Sequence, residues 1–87
     1  MDPNLKIALV GYGRFGKKYY KTLKKLNLSD KTIIFKKHDK KKHVKISSEN
    51  LKKNKIDLGI IVTPPNTHYK IATLFLKNKI PFILEKP

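Results

Sequence analysis

The sequence contains no cysteine, which excludes a disulfide staple and a thiolate metal site and fits a reducing compartment. It has no long apolar run. The longest, Ile60-Ile61-Val62, is far too short to cross a bilayer. Met1-Asp2-Pro3-Asn4 carries no basic segment leading into an apolar stretch, so a secretory signal is not expected. These absences together point to a cytoplasmic chain. Acid is also scarce, with 6 Asp and Glu against 21 Lys and Arg, a formal net charge of +15. Of those 21, only Arg14 is an arginine. Proteins that read bases or clamp phosphates favour arginine for its planar fork. Lysine enrichment alongside abundant isoleucine and asparagine is what an AT-rich genome produces, so most of this charge is assigned to solvated faces. It still attracts phosphorylated ligands.

At 87 residues the chain is read as one domain over 1–87, small enough to bury only about 60–65% of its unfolded surface. Three apolar, β-branched runs read as strands, at residues 6–10, 32–35 and 58–62. Residues 44–46 and 82–84 add two shorter ones. Near-continuous apolar runs predict strands buried on both faces, as in a parallel sheet. Between them lie helical patterns. Over residues 14–26, Phe15, Tyr19, Leu23 and Leu26 share one face. Ser47 or Ser48 caps a short turn through Asn54, with Glu49 in its first turn. Asn66 or Thr67 caps a helix to about Lys77, with His68, Ile71, Ala72 and Phe75 inward. The alternation predicts an α/β fold, a doubly wound parallel sheet of about five strands. One segment departs from it. Residues 36–43 form the most basic stretch, have no apolar period, and are shorter than the ~10–12 residues a parallel crossover usually needs.

The strongest local signal is Gly11-Tyr12-Gly13-Arg14-Phe15-Gly16. Alone, GxGxxG is weak. After a predicted strand and opening a predicted helix, it marks a phosphate-binding turn. Gly11 permits the bend, Gly13 lets a pyrophosphate approach the backbone, and Gly16 lets helix and strand pack closely. The helix N-terminus offers N–H groups to the phosphates, and Arg14 can add a contact. Tyr12 and Phe15 belong to the same cofactor-binding turn. Ribose recognition in such folds usually falls to an acidic residue about 20 positions on. Asp30 fits by count, but precedes the second strand and so stands at the wrong end of the sheet. At the right end stand Lys36, Lys37 and His38. Lysines there pair with a 2′-phosphate, which favours NADP over NAD.

A second constellation, Thr63-Pro64-Pro65-Asn66-Thr67-His68, leaves the carboxyl end of the strand at 58–62, where ligands bind in open α/β sheets. Together the glycine turn, IDLGIIVTPPNTHYKIATLFL and the terminal Glu85-Lys86-Pro87 resemble the N-terminal half of the Gfo/Idh/MocA oxidoreductases, across essentially the whole chain. The resemblance implies a Rossmann domain followed by a second, catalytic domain, and hydride transfer between a nicotinamide and a hydroxyl of a sugar, sugar nucleotide or cyclitol. It implies that Thr63, Pro64, Pro65 and His68 line the nicotinamide and its ribose. Glu85 would accept from that ribose, and Lys86 would act as the catalytic residue at the substrate oxygen. An ammonium there stabilises charge that develops as hydride leaves.

Two departures from the family pattern stand out. The crossover helix after the second strand is missing, and Asn78-Lys79 replaces a glycine before the last strand, where Asn78 can still take the left-handed conformation that ends a helix. No metal is called for. The expected partners are NAD or NADP, together with a separate chain supplying the second domain or another copy of this one. Alone, this chain is expected to bind dinucleotide weakly and turn over nothing, as a truncated or split product. The runner-up is a non-enzymatic basic domain binding nucleic acid, though neither an aromatic-interleaved basic strand nor a helix-turn-helix pattern is present. A third reading is an assembly or regulatory nucleotide-binding module.

Overall fold

The computed structural model describes residues 5–11, 13–36 and 44–85. Tyr12, Lys37, His38 and Lys86 lie outside that set. Along the chain run β1 (Ile7–Val10), α1 (Arg14–Lys25), a single 3₁₀ turn (Ser29–Lys31), β2 (Thr32–Lys36), β3 (Val44–Lys45), α2 (Ser48–Lys53), β4 (Leu58–Ile61), α3 (Pro65–Lys77) and β5 (Phe82–Leu84). The five strands form one sheet in the order β3-β2-β1-β4-β5, and every pair is parallel. All carboxyl ends therefore share one edge. The chain leaves β1 in opposite directions toward β2 and β4, which makes a switch point between β1 and β4.

Alternation along β1 explains why its four residues are all apolar. Ala8 and Val10 enter a cluster with Phe35, Leu51, Ile61, Ile71 and Phe75. Ile7 and Leu9 enter the opposite cluster with Leu23 and Ile60, flanked by Tyr19 and Tyr20. Thus α1 covers one face, α2 and α3 cover the other, and the central strand meets no water. Gly59 is part of this packing, because a Cβ there would overlap the Phe75 ring. That ring also lies 5.8 Å from Phe82, tilted by 53°.

The short link between β2 and β3 has a geometric reason. β3 pairs only with the last two residues of β2, Phe35 with Val44 and Lys36 with Lys45. The return path is two residues of strand, about 7 Å, rather than a full strand length. Residues 37–43, which make that link, lie outside the described set.

Several local expectations are corrected. The buried face of α1 is Gly16 and Leu23, with Tyr19 and Tyr20 half-buried. Phe15 and Leu26 are 40% and 61% exposed. Gly16 must face the strand end, which sets the phase of the helix and turns Phe15 outward. Leu26 stands at the C-cap, and Asn27, at φ 61°, turns the chain away there. Ser47 caps α2 as expected, its hydroxyl accepting from the Asn50 amide at 3.1 Å. α3 begins earlier than expected, with Pro64 at the N-cap and Pro65 in the first position, where a missing N–H costs nothing. Its left-handed exit falls on Lys79 (φ 56°), while Asn78 stays at φ −94°. The Asn78 amide instead bonds the Leu74 carbonyl and the Ser48 hydroxyl, both at 2.7 Å, tying α3 to α2.

Phe75 is fully buried against a glycine and a second ring. Phe75→Ala is expected to cost about 3–5 kcal/mol, whereas Leu26→Ala is expected to change stability by less than about 0.5 kcal/mol. Urea denaturation of the two variants measures both.

Candidate functional site

Three strand ends are prolonged by one residue along the carboxyl edge. The Gly11 amide donates to the Phe35 carbonyl at 3.0 Å, Val62 to Val10 at 2.9 Å, and Glu85 to Ile61 at 3.0 Å. Gly11, the loop from Thr63 and Glu85 therefore stand side by side. The first and last are two strand spacings apart, about 10 Å.

The three glycines of the turn have three different reasons. Gly11 has φ 98°, and a Cβ there would lie 3.0 Å from Thr63 Cγ2. Gly16 sits so close to Gly11 that a Cβ would overlap its carbonyl. Gly13 has neither constraint. Its φ is −83° and its ψ −153°, open to any residue, and a Cβ would meet nothing within 4 Å among the described residues. Gly13 is also the N-cap of α1 and brings no side-chain cap; the first turn holds no acidic residue, and Arg14 there is exposed. Among the described residues no side chain caps the N–H groups at this helix end, which suits them to an outside acceptor.

The loop after β4 is held by its own bonds. His68 Nε2 donates to the Thr63 carbonyl at 2.7 Å. The Thr67 hydroxyl and amide both donate to the Pro64 carbonyl, at 2.8 and 3.0 Å. Pro64 and Pro65 are exposed. The Thr63 hydroxyl is buried and has no hydrogen-bond partner among the described residues, a state that usually costs about 1–3 kcal/mol. Asp30 is in the 3₁₀ turn before β2, at the opposite edge, while Lys36 closes β2 at this one.

This fold and edge match a known family. The chain belongs to the Gfo/Idh/MocA oxidoreductase family, with its NAD-binding Rossmann fold; the match covers residues 5–87. No curated protein matches the chain. Among solved structures it is similar to RSP, a Rex-family repressor, at 18% identity and a TM-score of 0.69, covering 99% of this chain and 54% of that one. It is also similar to RSP in complex with β-NADH, at 19% identity and a TM-score of 0.67, covering 97% of this chain and 46% of that one. At such identities the likeness shows the fold. The chain spans about half the length of these structures.

Within this oxidoreductase-family domain, one site neighbour was not legible beforehand. Gly16 lies over Val62, so Tyr19, one turn further along α1, stands on the sheet face that Glu85 shares at the end of β5. Burial, then hydrogen bonding to Glu85 and the Glu85 charge, raise the Tyr19 phenol above its ordinary value near 10. The neutral phenol is therefore the form that folding favours. Its contribution is fully present below the unfolded value, about 10, and is lost as pH rises through the folded one. The apolar period of α1 runs through Tyr19, but nothing near it in the sequence signals that the phenol faces the end of β5.

Gly11→Ala is expected to destabilise the domain by about 1–3 kcal/mol because of its positive φ. Gly13→Ala, at a permitted φ, is expected to stay within about 1 kcal/mol of the parent. Both are read from urea midpoints. Above about pH 10 the parent is expected to lose stability more steeply than Tyr19→Phe, as measured by thermal melts across pH.

Proposed function

We propose that this chain is the dinucleotide-holding part of an oxidoreductase that moves hydride between a nicotinamide and a hydroxyl-bearing carbon of a sugar, sugar nucleotide or cyclitol. The observation that carries the reading is Gly13. Nothing within the described residues requires a glycine there, so the missing Cβ serves space outside the chain. That space lies at a helix N-terminus without a capping side chain, which suits a diphosphate. The Thr63 hydroxyl one strand over, without a partner among the described residues, is a second sign that the site is completed by a further group.

In this reading the pyrophosphate lies on the Gly11–Gly16 turn, with Tyr12, Arg14 and Phe15 around it. The adenosine ribose falls at the end of β2, near Lys36 and Lys37. A cation there favours a 2′-phosphate, while the family description names NAD; NADH and NADPH titrated in parallel decide between them. The nicotinamide riboside falls toward Thr63, Pro64, Pro65 and His68, with Glu85 accepting from its hydroxyls. The bound ring supplies the hydride acceptor. The chain's own contribution is to orient it, and Lys86 holds the substrate oxygen as its proton departs to a base.

The test is an NADH fluorescence titration of the parent and of Gly13→Val. The parent is expected to bind and the variant to lose at least about tenfold in affinity, at an unchanged circular dichroism spectrum. No binding by the parent, or equal binding by both, overturns the reading.

A further inference from the structure

We propose that Tyr19 is a positioning residue for Glu85, fixing which way the carboxylate at the end of β5 faces. This deepens the dinucleotide reading and rests on it. Three observations meet at the pair. Ile83 pairs in register with Ile60, and Ile60 belongs to the cluster beneath α1. By strand alternation Glu85, two residues on, faces the same side. Tyr19 packs its ring against that cluster, and Gly16, one turn before it on α1, lies over Val62 beside Glu85, so the phenol comes within reach of the Glu85 carboxylate, which raises it.

Glu85 is thereby held from two directions. Its amide is fixed by the Ile61 carbonyl of β4 at 3.0 Å, and its carboxylate by a side chain of α1. A carboxylate is acceptor-only, with about four lone-pair sites. The phenol occupies one, and the others are left for donors such as the vicinal hydroxyls of a ribose. A tyrosine suits this task because its packed ring leaves the hydroxyl little freedom. The same helix begins at the phosphate-binding turn, so α1 supports both ends of the proposed ligand path: the diphosphate through its N-terminus, the riboside through Tyr19.

The experiment compares NADH with ADP, which carries the diphosphate but lacks the nicotinamide riboside. Binding of both is measured by calorimetry to the parent, Tyr19→Phe, Glu85→Ala and the double variant. Tyr19→Phe is expected to weaken NADH about three- to tenfold and leave ADP unchanged. The double variant is expected to bind NADH no more weakly than Glu85→Ala alone, since Tyr19 acts through the carboxylate. NADH binding untouched by Tyr19→Phe, or NADH and ADP weakened alike, overturns the proposal; the latter is what a purely structural role produces.

A parent that binds no NADH refutes the dinucleotide reading instead. The pair itself is then judged by the phenol. In a Tyr12→Phe, Tyr20→Phe, Tyr69→Phe background, the remaining tyrosine is titrated by absorbance with and without Glu85→Gln. A titration that falls when Glu85 becomes Gln supports the contact as a held pair. One that does not move sinks it.

Discussion

The site depends on how closely the start of α1 is pressed onto the end of β1. Gly16 lies against the Gly11 carbonyl at a separation that leaves no room for a Cβ. Any side chain at 16 would lift the helix, and with it every N–H at its N-terminus. Gly11 is held in turn from both sides, its amide by the Phe35 carbonyl of β2 and its α-carbon against Thr63 beyond β4. The turn is thus wedged between its two neighbours in the sheet. Donors fixed in this way before a ligand arrives need little ordering when it binds, which is the physical advantage of preorganisation.

That wedge is only as firm as the sheet below it. β1 is buried on both faces, and the two clusters it joins contain nearly all of the large apolar side chains that leave water. A domain of this size has little stability to spare, and a net charge of +15 adds self-repulsion in the folded state. An anionic ligand at the carboxyl edge relieves some of that repulsion, so binding and stability are linked here more tightly than in a neutral domain.

The parts legible in the sequence were those that short-range chemistry determines. Ile7 to Val10 reads as a strand because each residue must be apolar to face a core, and Gly11 to Gly16 reads as a turn because three positions forgo side chains. The pairing of Thr63-Pro64-Pro65 with a strand end is legible for the same reason. Phase was harder. The apolar stripe through Phe15 and Leu26 was plausible by period alone. Gly16, lacking any hydrophobic side chain, carries no weight in such a pattern, yet its close approach sets the rotation of α1. The left-handed exit of α3 was expected on Asn78, which intrinsically tolerates it. The structure uses Lys79, because Asn78 is engaged with Leu74 and Ser48.

Glu85 shows where local reading stops. Its place after an apolar strand marks it as a group delivered to the sheet edge, but nothing near it in sequence says what steadies it. The steadying group, Tyr19, lies most of the chain away, on a helix whose apolar period already accounts for its ring. A ring explained by packing conceals a hydroxyl that packing does not need. Only the parallel register of β5 on β4, which puts residue 85 on the α1 side, brings that surplus hydroxyl and the carboxylate to one face. Motifs identify groups that a ligand touches because the ligand constrains their type and spacing. The groups behind them are constrained by the fold, so they are found by asking which buried or half-buried polar atoms have a partner that sequence distance conceals.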